Sequence, residues 1–97
     1  MIKIIICCSQ GMSSSVLVRK MKEYIKNANL DASVKSSNVS RVLSGEIDFD
    51  ILLLGPQIRA EKKKLQNAFP EKQIDVIEMV SYGRLDGESV VKKALSI

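Results

Sequence analysis

A cysteine, Cys8, follows the apolar run Ile2–Cys7 and opens the segment Ser9-Gln10-Gly11-Met12-Ser13-Ser14-Ser15. The order is apolar run, thiol, then a small polar glycine-containing stretch ahead of an amphipathic helix. It predicts a nucleophile at the end of a buried strand, beside a helix N-terminus. Backbone N–H groups of Ser9 to Ser15 that point into the hollow of such a loop make an anion site. The same field stabilises a thiolate and lowers its pKa. Gly11 permits a turn that residues with a Cβ resist, and the serine hydroxyls add donors. A thiolate beside a phosphate cradle has the parts needed for phosphoryl transfer through phosphocysteine. Cys7 is different: strand alternation points it away from the side of Cys8, and it is expected to pack as a small hydrophobe.

Thiol phosphatases with this kind of loop place an arginine six residues after the cysteine to clamp phosphate bidentately. That position is Ser14 here, and Arg19 falls inside the helix beyond the loop. Hydrolysis should therefore be slow and a phosphocysteine should persist, which favours a carrier. The enzyme-class alternative is a low-molecular-weight phosphatase-like protein. The non-enzymatic alternative is a thiol regulatory module.

The elements that must hold this segment follow from periodicity. Ile2–Cys7 and Ile51–Leu54 are continuous apolar runs, the pattern of parallel strands buried on both faces. Ala32–Ser37 reads as a polar edge strand, and Ile74, Val76, Ile77 and Met79 as a fourth strand. A helix begins among Ser13–Ser15, carries Leu17, Met21, Tyr24, Ile25 and Ala28 on its apolar face, and ends near Asn27 and Asn29. Val39, Val42 and Leu43 give a short helix stopped at Gly45. Pro56 opens a helix that runs through Leu65 to Phe69, with Lys62-Lys63-Lys64 on its solvated face. Tyr82–Gly87 is expected as a loop, and Val90, Val91, Ala94 and Leu95 mark a closing helix. The sum is one α/β domain over residues 1–97, with a four-stranded parallel sheet flanked by helices on both faces. Ligands of such sheets bind beyond the carboxyl ends of the strands. Cys8–Ser15, Gly55–Gln57 and Tyr82–Gly87 are expected there, with Met12 placed for partner contact and Tyr82 either in the core or near the loop.

Composition bounds the rest. The 97 residues carry 15 Lys+Arg, 11 Asp+Glu and a net charge of +4, with 45% hydrophobic and 27% charged residues, so the chain has the balance of an ordinary folded domain. It has no histidine, which excludes Ser-His and Cys-His catalysis, His-ligated zinc and a phosphohistidine of its own. No cofactor or metal is expected. Two adjacent cysteines do not make a secreted disulfide scaffold. No segment approaches the ~20 apolar residues of a membrane span, and the short apolar start is not a signal peptide. With 4% aromatics, nucleic acid is not an expected partner. A reduced, cytoplasmic location is expected.

Cys8-Ser9-Gln10-Gly11-Met12-Ser13-Ser14-Ser15 resembles the Cys-Ser-Ala-Gly-Met-Ser-Thr-Ser loop of enzyme IIB of the bacterial sugar phosphotransferase system, lactose/cellobiose/chitobiose type. Ile51–Leu54 followed by Gly55-Pro56-Gln57-Ile58 is similar to that family's second signature. Val76-Ile77-Glu78, Tyr82-Gly83 and Asp86-Gly87 are similar to its third. The match spans the chain in order and spacing. Gln10 replaces a small residue, Ser14 replaces Thr, and Glu78 stands where Asp is familiar. The resemblance implies that Cys8 accepts phosphate from a histidine of a IIA protein. It then passes the phosphate to a sugar held by the membrane permease IIC, with Ser9, Gln10, Gly11, Met12, Ser13, Ser14 and Ser15 as the phosphate loop. A chain without histidine must receive its phosphate from another protein.

Overall fold

In this computed structural model, residues 1–7 and 11–97 are described, the side chains of 11–14 excepted. Four strands form one parallel sheet in the order β2-β1-β3-β4: β1 Ile2–Cys7, β2 Ala32–Ser37, β3 Ile51–Leu54 and β4 Gln73–Val76. Five α-helices connect and cover them: α1 Gly11–Asn27, α2 Val39–Leu43, α3 Lys62–Ala68, α4 Met79–Gly83 and α5 Gly87–Leu95.

Strand alternation splits the apolar side chains between two cores. Ile4, Ile6, Val34, Ile51 and Leu53 pack with Leu17, Val18, Met21 and Ile25 of α1 and with Val90, Val91 and Ala94 of α5. Ile5, Cys7, Leu52, Leu54 and Ile74 pack on the opposite face with Val42 of α2, Leu65 of α3 and Phe49. The central strands are thus apolar on both faces, the pattern of a parallel sheet between helix layers. Phe49 was not anticipated as core; its ring meets Phe69 edge-on with centroids 5.2 Å apart, and the Lys72 ammonium lies 5.6 Å from its centroid.

Helix ends follow local chemistry. At the end of α1 the Leu30 N–H donates to Ile25 C=O at 3.0 Å and the Asn29 N–H to Lys26 C=O at 3.2 Å, with Asn29 at φ 54°. This is the Schellman closure, with Asn where a left-handed residue is needed. Gly45, at φ 82°, turns the chain after α2 as expected.

Four expectations change. The helix starts at Gly11, not within Ser13–Ser15, so those serines lie in its first turns rather than capping it, and Ala28 falls outside it and is exposed. The single helix expected from Pro56 to Phe69 is instead a 3-10 segment, Pro56–Glu61, followed by α3. Ile58 at φ −118° breaks it and packs partly buried against the second core. Strand β4 ends at Val76, because its neighbour β3 gives way to Gly55–Pro56 and proline has no N–H to extend the ladder. Met79 therefore leaves the sheet and begins α4, and the loop expected at Tyr82–Gly87 shrinks to residues 84–86 between α4 and α5.

Asp86 caps α5: its carboxylate accepts from the Ser89 hydroxyl at 2.8 Å and from the Ser89 N–H at 3.1 Å. The Ser89 hydroxyl, then the Ser89 backbone, hold the carboxyl below its ordinary 3.8. A carboxylate with a lowered folded pKa stabilises the fold above its unfolded pKa, and that contribution fades as pH falls through the folded value. Asp86→Asn keeps the acceptor and removes the titration. Thermal unfolding between about pH 6 and pH 2 should therefore lose less stability in Asp86→Asn than in wild type over the acid limb.

Candidate functional site at the carboxyl rim of the sheet

Because all four strands are parallel, their carboxyl ends form one rim. Register defines its last full row: Ser37, Cys7, Leu54 and Val76 lie side by side across β2, β1, β3 and β4. Two hydrogen bonds extend the ladder past that row. The Gly55 N–H donates to Cys7 C=O at 2.8 Å, and the Ile77 N–H donates to Leu54 C=O at 2.8 Å. The Cys7 carbonyl belongs to the peptide joined to Cys8, so Gly55 fixes the backbone that leads into position 8. This is the physical content of the second signature: Gly55 and Pro56 are buried at the rim, and only Gln57 is exposed.

Cys8, Ser9 and Gln10 lie outside the described residues, as do the side chains of Gly11, Met12, Ser13 and Ser14. The elements on either side define their frame. Strand β1 ends at Cys7 and α1 starts at Gly11, so three residues join the sheet's rim to a helix N-terminus. Helix α1 has 17 residues, about 25 Å of aligned peptide dipoles. Its first turn carries no acidic residue to compensate the positive end. The backbone N–H groups of Gly11, Met12 and Ser13 have no partner within the helix. Those of Ser14 and Ser15 belong to its ladder, and Ser15 stands exposed in the second turn. An anion or a thiolate at this end of the strand meets a field that favours negative charge.

Cys7 is fully buried in the second core, on the face away from α1, as alternation requires. Tyr82 is buried in the first core with α1 and α5. The Asp86-Gly87 part of the third signature serves packing: a Cβ on Gly87 would lie 2.6 Å from the backbone carbon of Lys20 and 2.6 Å from the nitrogen of Met21. That glycine lets α5 approach α1, the helix that starts beside Cys8. Sequence reasoning missed Met79 and Val80, which stand 65% and 58% exposed just beyond the end of β4. The short length of the apolar run Ile74–Ile77 against Met79 was the available signal. Among the described residues no cluster of His, Cys, Asp or Glu could hold a metal ion, and no helix is long and apolar enough to cross a membrane.

A four-stranded parallel sheet with helices on both faces and ligand-binding ground at its carboxyl rim defines a small single-domain α/β protein. Within that class the chain belongs to the lactose/cellobiose-specific IIB subunit family of the sugar phosphotransferase system, whose family model matches residues 3–93. It is 36% identical over 97 residues to an oligo-beta-mannoside-specific EIIB component of Bacillus subtilis, covering 98% of this chain and 94% of that one. It is 33% identical to a cellobiose-specific EIIB component of Lactococcus lactis, covering 94% of this chain and 91% of that one. The solution structure of a cellobiose-specific IIB component from Borrelia burgdorferi superposes with a TM-score of 0.78 at 33% identity, over 98% of this chain and 89% of that one. The lactose-specific IIB domain of Streptococcus pneumoniae shares the fold, with a TM-score of 0.82 at 16% identity over 96% of each chain. IIB components are phosphotransferases that work with IIA and IIC partners, and this chain is such a component of sugar uptake.

Proposed function

We propose that Cys8 is the phosphorylated residue of this IIB component. The thiolate Sγ attacks the phosphorus of a phosphohistidine on the IIA partner. The P–N bond breaks as the P–S bond forms, and the imidazole keeps the electron pair. In the second step a sugar hydroxyl bound by the IIC permease attacks the same phosphorus. The P–S bond breaks, the thiolate is regenerated, and the hydroxyl proton leaves to a base at the acceptor. The activity is that of a protein-phosphocysteine–sugar phosphotransferase, carried by one domain over residues 1–97. It operates in the cytoplasm and at the inner face of the membrane when it meets IIC. Ser9, Gln10, Gly11, Met12, Ser13, Ser14 and Ser15 form the phosphate-binding segment, with the N–H groups of the first helical turn as its strongest donors. The sugar is a β-linked disaccharide such as cellobiose, chitobiose or lactose, a reading supported by relatives named for oligo-beta-mannosides and cellobiose.

One observation carries this reading: in a chain of the IIB family, Cys8 directly follows the central strand and precedes a helix whose first turn lacks acidic residues. Intact mass after incubation with phosphoenolpyruvate, the general phosphotransferase proteins and a cognate IIA should show a gain of one phosphate. No gain from a IIA that is itself phosphorylated refutes the proposal.

A further inference from the structure

We propose that Met79 and Val80 form the apolar part of the surface on which the phosphorylated IIA donor docks. The inference rests on the relay reading above and adds where its donor sits. Among the described residues five large hydrophobic side chains are exposed, and three of them, Met1, Ile2 and Ile97, lie at or next to the chain ends. Met79 and Val80 are the internal pair, and nothing in the fold of the described residues covers them.

Their position selects the occupant. Val76 shares a row with Cys7, two strand spacings or about 10 Å away. Met79 opens α4 three residues later on the same rim. A phosphoryl group passed directly between two side chains requires the proteins to touch around Cys8. A transient interface buries up to about 600 Å² on each partner. A patch of that area centred on the end of β1 has a radius of up to about 14 Å, so it takes in the end of β4 at about 10 Å, from which α4 starts.

Charge favours the donor over the permease. Lys62 and Lys93 line a groove of about 560 Å³ together with Glu78 and with Ser81 of α4. Two acids line the same groove: Glu78 pairs with the Lys93 ammonium at 3.5 Å, and Asp75 accepts from the Gln73 side-chain amide at 2.9 Å. Arg59 is exposed on the 3-10 segment that leaves the same rim. The donor arrives carrying a phosphate with about −1.5 to −2 charges, whereas IIC presents a neutral sugar hydroxyl. With Arg59, Lys62 and Lys93 against Asp75 and Glu78, the surroundings of the apolar pair keep an excess of positive charge, which complements the former. Methionine, unbranched and polarizable, suits a contact that forms and releases on each cycle.

The test is the rate of phosphoryl transfer to this chain as a function of phosphorylated IIA concentration. Wild type is compared with the Met79→Ser, Val80→Ser double variant, with Met79→Leu and with Ile97→Ser. The double variant should raise KM for the donor about tenfold, equivalent to about 1.4 kcal/mol. It should leave kcat within about twofold and thermal stability unchanged, because both side chains are in solvent. Met79→Leu should keep KM near wild type, and Ile97→Ser should change nothing. An unchanged KM in the double variant overturns the assignment. So does an unchanged KM accompanied by slowed transfer to sugar in permease-containing vesicles, which would give the patch to IIC. A wild-type chain that accepts no phosphate overturns the relay reading itself, before any variant is compared.

Discussion

Cys8→Ala should abolish phosphate acceptance from IIA, while Cys7→Ala should retain it. The two cysteines are adjacent in sequence; Cys7 closes β1 and its side chain lies in the core. Cys7 sits in register with Leu54, fully buried among Ile5, Leu52, Leu54 and Val42, on the face away from α1. Burial in apolar surroundings disfavours a thiolate there. Cys8 is the next residue in sequence, between the end of β1 at Cys7 and the start of α1 at Gly11. Intact mass should show no gain of phosphate for Cys8→Ala and one phosphate for Cys7→Ala. The Cys7 change acts on stability instead, because removing a buried sulfur from a close-packed core leaves a small cavity. It should lower the melting temperature by a few degrees, on the order of 1 kcal/mol, without moving the phosphorylation site. A Cys7→Ala protein that folds but takes no phosphate would contradict the assignment.

Gly87→Ala should be among the most damaging single-methyl additions in the chain. The new Cβ would stand 2.6 Å from two backbone atoms of α1 and 2.9 Å from the Lys20 Cβ. Backbone atoms cannot swing aside as a side-chain tip can, so one helix must move. Overpacking of this kind costs about 1–3 kcal/mol. In a domain of this size each kcal/mol lowers the melting temperature by roughly 4–8 °C, so a loss on the order of 10 °C is expected. Gly83→Ala is the control, since a Cβ there meets nothing within 4 Å. It should leave the melting temperature close to wild type. If Gly87→Ala melts with wild type, the close approach of α5 to α1 is not required by the fold.

How far these features were legible in the sequence depends on what each one obeys. Ile2–Cys7 and Ile51–Leu54 were read with the bounds the structure has, because apolar runs between turn residues are local signals, and the more polar Ala32–Ser37 was read as the edge strand it is. The four-stranded parallel sheet followed from the alternation of strands and helices. Gly45 and Asn29 were readable because left-handed backbone selects few residue types. What escaped was set by neighbours in space. Met79 looks like one more apolar strand residue until β3 ends beside it. Phe49 looks like part of a polar stretch until Phe69 meets its ring. The start of α1 at Gly11 was hidden because three consecutive serines just after it look like caps, whereas they fall inside its first turns. The site followed the same division: Cys8 stands out by residue type and place, whereas the exposure of Met79 and Val80 could be seen only once the rim was built.

The order β2-β1-β3-β4 also sets where the molecule opens. Strand β1 is hydrogen-bonded on both sides, and Ile4, Ile6 and Cys7 within it are almost without contact with water. Its amides can exchange with solvent only in openings that approach global unfolding. Helix α4 has five residues, and at its start Met79 and Val80 stand in solvent, so it belongs to the part that opens most easily. Position 8 is therefore joined in sequence to the segment of slowest exchange, and the surface assigned to the donor lies on one of the fastest. A carrier that must hold one atom in place while admitting and releasing partners of different shape is served by that gradient in local stability.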